Sequence, residues 1–274
     1  MATNITFIGA GNMTGAIIGG LIDSGVSPAA ITATSPSESM LAPVKTRYGI
    51  TTHTDNQEAI SGADIVVLAV KPQIMRDVCK ELRDSIQRER PLVISIAAGL
   101  DADTIDGWLG GGLAVVRCMP NTPSLVGYGA SGLFANAAVS EQQRQDATQL
   151  MQAVGIVEWV EEEALLDAVT AVSGSAPAYF FLMFEAMEEA GTRLGLPADT
   201  ARRLAIQTAM GAARMAAQSE SDPATLKKNV MSPGGTTERA IEHMESAHLR
   251  DIIEDAMQAC AARAQEMAKE LSGE

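Results

Sequence analysis

A glycine-rich turn near the start of the chain has the residue types that hold the phosphates of a dinucleotide. A β-rich run ends at Gly9, and an apolar, helix-forming stretch follows directly. Gly9 permits the tight turn, Gly11 lets the backbone approach a pyrophosphate, and the helix start offers free N–H groups and a positive dipole end. Thr14 replaces the third glycine of the G-x-G-x-x-G pattern, with Gly15 one place later. A glycine turn without a ligand is the alternative, but the position between strand and helix favours a dinucleotide site. Its candidate residues are Gly9, Gly11 and Asn12.

The end of the second predicted strand bears on which dinucleotide is bound. An NAD enzyme usually has Asp or Glu there, to hold the ribose 2′-hydroxyl. Here the strand is followed by Ser35, Pro36 and Ser37, and the first acid is Glu38. Small hydroxyls can hydrogen-bond a 2′-phosphate without repelling it, so the sequence favours NADPH. No arginine is present at the strand end, so the preference is expected to be modest and NADH remains an alternative.

Further candidates follow the other predicted strands, whose carboxyl ends meet at the edge where open α/β sheets bind ligands. Lys71 is either a ligand contact or a solvated loop lysine, and Pro72, which fixes the turn, favours the contact. Asn56, after a short third strand, is either a helix cap or a residue that reaches the adenosine side. The cofactor candidates at this edge are Asn56, Ala69, Lys71, Pro72 and Ala97.

Two polar helix starts stand out in the Ala-rich second half of the chain. They are SGSAPAY (173–179) and SPGGTT (232–237). Each could be an ordinary N-cap, but two of them indicate capture of an anion. Backbone N–H groups at 234–237 and the hydroxyls of Ser232, Thr236 and Thr237 could hold a carboxylate. Ser175 is a further candidate for the substrate.

Conventional acid–base and metal-binding residues are scarce. The histidines are His53, His243 and His248. We expect His53 at the surface, His243 about two helical turns beyond Thr237, and His248 in a loop or cap. The three cysteines form no CxxC pair, which argues against a disulfide framework or a zinc site. We therefore predict no metal and a cofactor that carries the hard chemistry.

The elements that must position these residues fall into two halves. Up to residue 160, short β-rich runs alternate with helical stretches, which predicts an α/β Rossmann domain with a mostly parallel sheet. The runs are 5–9, 30–34, 64–70, 91–97, 112–118, 130–135 and 155–160. Residues 161–274 are predicted to form an all-α domain for substrate binding and dimerisation, with Glu161–Glu163 as the acidic first turn of its first helix.

Composition excludes several classes of partner. The 274 residues carry a formal net charge of −14, which argues against nucleic acid or an anionic membrane surface. No apolar run approaches the roughly 18 residues of a membrane span. Lys45 is the first basic residue, so a secretory signal is not indicated and a cytoplasmic location is expected.

The run KKNVMSPGGTTERAIEHME (227–245) resembles the signature of pyrroline-5-carboxylate reductases, which catalyse the last step of proline biosynthesis. GAGNM, AVKP, AAG, RCMPNTP and SGSAPAY resemble other blocks of that family, in the same order. The resemblance implies reduction of L-1-pyrroline-5-carboxylate, a cyclic imine carboxylate, to L-proline with NADPH or NADH. It also implies a homodimer and, in many members, larger rings of dimers, a decamer of dimers among them.

The resemblance also implies residue roles. Ser232, Gly234, Gly235 and Thr236 would hold the substrate carboxylate, and Thr237 would hydrogen-bond the ring nitrogen as the catalytic residue. The residues implied to face the cofactor are Met13, Ser35, Asn56, Lys71, Ala97 and Asn121. Ala176 and Pro120 depart from the family pattern without removing a functional group. The imine proton is expected to arrive with the substrate or through water.

The sequence leaves three alternatives: a related NADP-dependent imine reductase, a β-hydroxyacid dehydrogenase, and a dinucleotide sensor without enzymatic activity. The β-hydroxyacid family uses a lysine on its long interdomain helix. This chain has no lysine between Lys80 and Lys227. A sensor would leave both polar helix starts unexplained.

Overall fold

The computed structural model describes residues 3–272. Within them the chain forms one eight-stranded sheet. The strands are β1 (Ile5–Ile8), β2 (Ile31–Thr34), β3 (Thr51–His53), β4 (Ile65–Leu68), β5 (Leu92–Ser95), β6 (Val115–Met119), β7 (Gly129–Ala135) and β8 (Gly155–Trp159). The helices are α1 (Asn12–Asp23), α2 (Glu38–Tyr48), α3 (Asn56–Ile60), α4 (Pro72–Glu89), α5 (Ala102–Trp108), α6 (Glu141–Gln152), α7 (Leu165–Val169), α8 (Ala176–Arg193), α9 (Ala198–Gln218), α10 (Pro223–Asn229), α11 (Thr236–Ser246) and α12 (Leu249–Ser272).

The strand order is β3-β2-β1-β4-β5-β6-β7-β8. Every neighbouring pair is parallel except β6 and β7. The first six strands follow the order of a dinucleotide-binding fold, with β1 at the point where the order reverses. The prediction of a mostly parallel Rossmann sheet is therefore confirmed.

The core lies on both faces of the sheet, as the uncharged strand sequences predict. Ile5 and Phe7 of β1 pack into a cluster with α1 and α6, whereas Ile8 packs into a second cluster with α4 and α5. Successive side chains of a strand point to opposite faces. Each buried Ile or Phe contributes about 1.5–3 kcal/mol to stability, so both helical layers are held firmly against the sheet.

The carboxyl ends of four central strands lie in register. Ile8 pairs with Thr34 on one side and with Leu68 on the other, and Leu68 pairs with Ser95. The loops that begin at residues 9, 35, 69 and 96 therefore leave the sheet at one edge. This register brings the turn glycines and the candidates that follow β2, β4 and β5 to the same edge.

The chain forms two compact units. The first runs through Ser175 and includes the end of α12 from Ala259 onward, and the second comprises Ala176–Gln258. In the second unit α8 and α9 pack together, and Arg202 forms a two-point ion pair with Glu188. The domain boundary predicted at residue 160 stays a prediction.

The prediction for Glu161–Glu163 is wrong, because α7 begins only at Leu165. Glu163 instead accepts hydrogen bonds from the Ala102 backbone N–H at 2.7 Å and from Arg117 Nη1 at 2.9 Å. Ala102 is the first residue of α5, so the acid stabilises the N-terminus of a different helix. Arg117 is largely buried, which explains why it takes a carboxylate partner.

A π-helical turn, Thr170–Gly174, lies between α7 and α8. The resulting helical stretch Leu165–Arg193 is long and apolar enough to span a membrane by length and composition alone, with 17% of the apolar window buried. The expectation that no apolar run approaches a span is wrong in this sense, because Leu, Val, Phe, Met and Ala residues keep the mean hydropathy of the stretch high although Ser, Gly and Pro interrupt it. Phe180, Phe181 and Leu182 are each more than 60% exposed. The helix therefore presents an apolar face outside the core of the single chain.

Candidate active site

The dinucleotide turn is built so that only glycine fits at its first position. Gly9 has φ +111°, and a Cβ there would lie 2.6 Å from the carbonyl oxygen of Ala69. Gly11 has an ordinary φ of −77° and forms the N-cap of α1. A Cβ at Gly11 would meet nothing within 4 Å. The space above Gly11 is therefore open for a group such as a pyrophosphate.

Thr14 explains why the third glycine of the motif is replaced. Its side chain is 1% exposed, and its hydroxyl donates to the carbonyl oxygen of Gly9 at 2.8 Å. The threonine thus closes the turn with its own hydrogen bond. By the glycine pattern alone Thr14 is an imperfect match, and its small hydroxyl five residues after Gly9 is the sequence signal for this bond.

The first turn of α1 offers donors to an anion. The first intrahelical bond runs from the Gly15 N–H to the Gly11 carbonyl, so the N–H groups of Asn12, Met13 and Thr14 have no acceptor within the helix. Asn12 is exposed and Met13 is partly buried. Together with the open space at Gly11, these donors fit a dinucleotide pyrophosphate.

The end of β2 carries a group of serine hydroxyls. Ser35 is 3% exposed, and its hydroxyl donates to the Met40 sulfur at 3.6 Å. Ser37 and Ser39, at the start of α2, place their hydroxyl oxygens 2.6 Å apart. Ser35 is therefore the most enclosed of the three, and Ser39 is a nearby hydroxyl that the sequence analysis does not name.

The two candidate asparagines are held in different ways. Asn56 opens α3, whose N-cap is Asp55, and Asn56 Oδ1 accepts a hydrogen bond from the Thr34 hydroxyl at 2.6 Å. Asn121 is 8% exposed, donates to the Ser173 carbonyl at 3.0 Å and accepts from the Ala130 N–H at 2.9 Å. The Asn121 side chain thus fastens three segments of the first unit and retains one N–H for any ligand.

Lys71 is the first charged residue after β4. It is the exposed N-cap residue of α4, with Pro72 at the first helical position. Among residues 3–272 its amine has no ion-pair partner, so it is available to an anion. Ala69 donates its N–H to Ile8, and Ala97 donates its N–H to the Ser95 hydroxyl. Both alanines follow strands at the edge that carries the turn.

In the second unit, the start of α11 is rich in hydroxyls but has fewer free N–H groups than expected. The Gly234 N–H donates to Glu238 Oε2 at 2.6 Å, and the Gly235 N–H donates to the Ser232 carbonyl at 2.8 Å. Two of the four N–H groups predicted to hold a carboxylate are therefore satisfied inside the chain. The N–H groups of Thr236, Thr237 and Glu238 have no acceptor in the helix, whose first bond is made by Arg239.

The hydroxyls of Ser232, Thr236 and Thr237 make no hydrogen bond to any other residue in the described range 3–272, and Thr237 is partly exposed.

The three histidines lie at separate places. His248 lies between α11 and α12 with φ +59°, and its Nδ1 atom is 3.1 Å from the Asp251 carboxylate. His53 ends β3, with its Nδ1 atom 3.4 Å from Glu58. His243 lies in the last turn of α11.

Ser175 belongs to the first compact unit. Its hydroxyl accepts a hydrogen bond from the Cys260 thiol at 3.2 Å. Both residues line a cavity of about 220 Å³ with Arg117, Cys118 and Arg263. The structure therefore assigns Ser175 and Thr237 to different compact units.

No cysteine or acidic cluster suggests metal chemistry. Within residues 3–272 no group of three or more His, Cys, Asp or Glu side chains could hold a metal ion. Burial raises the pKa of the Cys118 thiol to about 12, so this thiol is not activated as a nucleophile.

Two protein families match the chain. Residues 4–99 match the family described as NADP oxidoreductase coenzyme F420-dependent, and residues 163–267 match the family described as pyrroline-5-carboxylate reductase dimerisation. The first range contains the glycine turn, Ser35, Asn56 and Lys71, and the second contains the start of α11.

Individual relatives agree over nearly the whole length. The pyrroline-5-carboxylate reductase of Pseudomonas aeruginosa is 49% identical over 267 residues, covering 97% of both chains. The solved structure of the Coxiella burnetii enzyme has a TM-score of 0.95 and 46% identity over 98% of this chain and 100% of that one. The Plasmodium falciparum enzyme, solved with NADP bound, has a TM-score of 0.85 and 28% identity over 97% and 98% of the two chains. The chain therefore belongs to the pyrroline-5-carboxylate reductase family and is an NAD(P)H-dependent oxidoreductase with a Rossmann domain followed by a helical dimerisation region.

Proposed function

We propose that this chain reduces L-1-pyrroline-5-carboxylate to L-proline in the final step of proline biosynthesis, with NADPH as the preferred hydride donor and NADH as an alternative. The observation that carries the proposal is the start of α11, where three hydroxyls and three N–H groups without intrahelical acceptors suit a small carboxylate. The serine group at the end of β2, where an NAD enzyme usually has an acid, supports NADPH.

The chain's own residues bind and orient the reactants. When bound, the nicotinamide supplies a hydride to C5 of the protonated cyclic imine, which becomes proline. Gly9, Gly11, Asn12 and Met13 hold the pyrophosphate, and Lys71 contributes a positive charge. The remaining proposed cofactor contacts are Ser35, Asn56, Ala69, Pro72, Ala97 and Asn121.

The hydroxyls of Ser232 and Thr236 and the free N–H groups at the start of α11 hold the substrate carboxylate, and Gly234 and Gly235 shape the turn that presents them. Thr237 hydrogen-bonds the ring nitrogen and orients it, and Ser175 is a further substrate contact. Because a threonine hydroxyl is too weak an acid to protonate the imine, the proton arrives with the substrate or through water. Positioning then supplies most of the rate enhancement that the protein adds.

The protein acts as a homodimer that can assemble further into rings, up to a decamer of dimers. The support is the apolar surface of the second unit, where Phe181 is 64% exposed, Met210 61% and Ile252 59%. Apolar patches of this kind mark interaction surfaces. With a net charge of −14 we propose a cytoplasmic enzyme that uses neither nucleic acid nor a membrane as a partner.

The decisive experiment is to follow NADPH and NADH oxidation with L-1-pyrroline-5-carboxylate and to identify proline as the product. We expect turnover with both donors and a higher kcat/KM with NADPH. Tight NADPH binding without oxidation would instead favour a dinucleotide sensor. Sedimentation equilibrium tests the dimer and any larger ring.

A further inference from the structure

Thr34, the last residue of β2, connects the two parts of the dinucleotide edge. Its backbone carbonyl accepts the N–H of Gly9 at 3.1 Å. Its side-chain hydroxyl donates to Asn56 Oδ1 at 2.6 Å, and the Phe7 carbonyl lies farther away at 3.4 Å. Thr34 is completely buried. One residue therefore holds both the glycine turn and the first residue of α3.

The hydrogen bond determines which way the Asn56 amide faces. A hydroxyl has one hydrogen to donate, and the short distance assigns it to Asn56 Oδ1. The amide oxygen is thereby held toward the sheet, and the Nδ2 group, with its two hydrogens, is turned away from Thr34. Within the described part of the chain Nδ2 has no acceptor. Asn56 thus presents donors only, which suits an oxygen-rich anionic group.

We propose that Thr34 is a positioning residue that directs the Asn56 amide donors toward the 2′-phosphate of NADPH. This inference rests on the proposed function, because it takes Asn56 as a contact on the adenosine side of the cofactor. The serine hydroxyls that follow β2 lie at the same exit from the sheet. Selection for a phosphorylated ribose then depends on a buried residue that never touches the cofactor.

The test compares Thr34→Val, which removes the hydroxyl but keeps the shape, with Thr34→Ser, which keeps the hydroxyl. Thr6→Val is a matched control, because the buried Thr6 hydroxyl on β1 donates to the Ala59 carbonyl of α3 at 2.8 Å without contacting Asn56. KM and kcat are measured for NADPH and NADH, and NADPH affinity is measured separately by fluorescence titration.

For Thr34→Val we expect the KM for NADPH to rise about fivefold, the size of effect expected for one lost hydrogen bond, with kcat unchanged and a smaller change with NADH. Thr34→Ser should restore the NADPH value, and Thr6→Val should leave the ratio of the two KM values unchanged. The proposal is overturned if Thr34→Val leaves the KM for NADPH unchanged, or weakens both cofactors equally.

Asn56→Ala separates this proposal from the assignment on which it rests. If Asn56→Ala lowers NADPH affinity but Thr34→Val does not, the positioning role fails while the enzymatic function stands. If wild-type protein shows no turnover of L-1-pyrroline-5-carboxylate, the proposed function fails. NADPH binding by the same variants then still reports on whether Thr34 orients Asn56.

Discussion

The carboxylate of Glu238 accepts a hydrogen bond from the Gly234 N–H at 2.6 Å, so an internal anion already occupies part of the site proposed for the substrate carboxylate. Gly234 has φ +72°, a conformation that glycine adopts readily. The contact stabilises the turn before α11. It also places a negative charge at the helix end where the substrate carboxylate is proposed to bind.

We predict that Glu238→Gln lowers the KM for L-1-pyrroline-5-carboxylate about two- to fivefold, the range expected for one charge at a helix terminus. The glutamine keeps an oxygen that can accept the Gly234 N–H but removes the repulsion. The kcat should be unchanged. Because salt screens the interaction, the difference from wild type should shrink as ionic strength rises in steady-state assays.

Glu242→Gln is the control for this prediction. Glu242 lies one turn further along α11 and pairs with Arg239 at 3.7 Å, so its removal changes the net charge equally without touching the turn. An equal decrease in KM in both variants would point to a general charge effect and contradict the role given to Glu238.

We predict that Thr237→Val lowers kcat/KM for the cyclic imine by about ten- to a hundredfold, the size of effect expected for one hydrogen bond to a charged group. The affinity for NADPH should not change, because Thr237 is assigned to the substrate. Thr192→Val on α8 is the control, since its hydroxyl bonds only the Glu188 carbonyl. Full turnover by Thr237→Val would remove Thr237 from the mechanism.

The parallel sheet and the glycine turn could be predicted from the sequence because strand periodicity and Gly9 act locally. Contacts between distant residues could not. The hydrogen bond from Arg117 to Glu163 joins positions 46 residues apart. Nothing in the local pattern around Glu161–Glu163 shows whether these acids pair with a distant arginine or lie in the first turn of a helix.

The same limit applies inside the candidate site. The family resemblance implies that Asn121 and Ser35 face the cofactor, but their side chains also make contacts within the protein. Similarly, the sequence predicts that every N–H of the SPGG turn is free. The contact from Glu238 to the Gly234 N–H could not be predicted, because a side chain that bonds its own helix start leaves no periodic signal in a sequence.

We predict that alanine at the two turn glycines affects two different properties, stability at Gly9 and NADPH binding at Gly11. Gly9→Ala should lower the free energy of unfolding by about 1–3 kcal/mol, since φ is +111° and the new Cβ would lie 2.6 Å from the Ala69 carbonyl oxygen. Gly11→Ala should leave stability unchanged but weaken NADPH binding at least about tenfold, or about 1.4 kcal/mol, because the methyl group fills the space left for the pyrophosphate. Thermal unfolding and fluorescence titration distinguish the two outcomes. Equal losses of stability in both variants would contradict this division.

We predict that Cys79 and Cys118 do not react with iodoacetamide in the native protein at pH 8. Burial raises the pKa of each thiol to about 12, so only about one molecule in ten thousand carries the reactive thiolate. Both should react after denaturation in guanidinium, as followed by mass spectrometry. Cys118→Ser should retain activity. Native labelling of Cys118 with loss of activity would contradict an inert structural role.

The pH dependence of stability can be predicted at Glu245, which connects three helices of the second unit. Its carboxylate accepts hydrogen bonds from Arg250 at 2.9 Å and from Lys227 at 3.3 Å. Chiefly the Arg250 hydrogen bonds, with that of Lys227, lower the Glu245 pKa from 4.5 to about 2. The carboxylate therefore stabilises the folded state fully above about pH 5. As the pH falls below 4.5 the unfolded chain takes up the proton first, and the contribution is lost by about pH 2.

Urea unfolding of wild type and Glu245→Gln between pH 7 and pH 2 tests this prediction. Wild type should be the more stable at pH 7, and the difference should disappear toward pH 2. Because all these groups are substantially exposed, added salt should also reduce it. Glu220→Gln is the control, since Glu220 has no ion-pair partner among residues 3–272. Its difference in stability from wild type should not decrease between pH 7 and pH 2. A wild-type advantage that persists unchanged at pH 2 would show that Glu245 acts through packing and not through its charge.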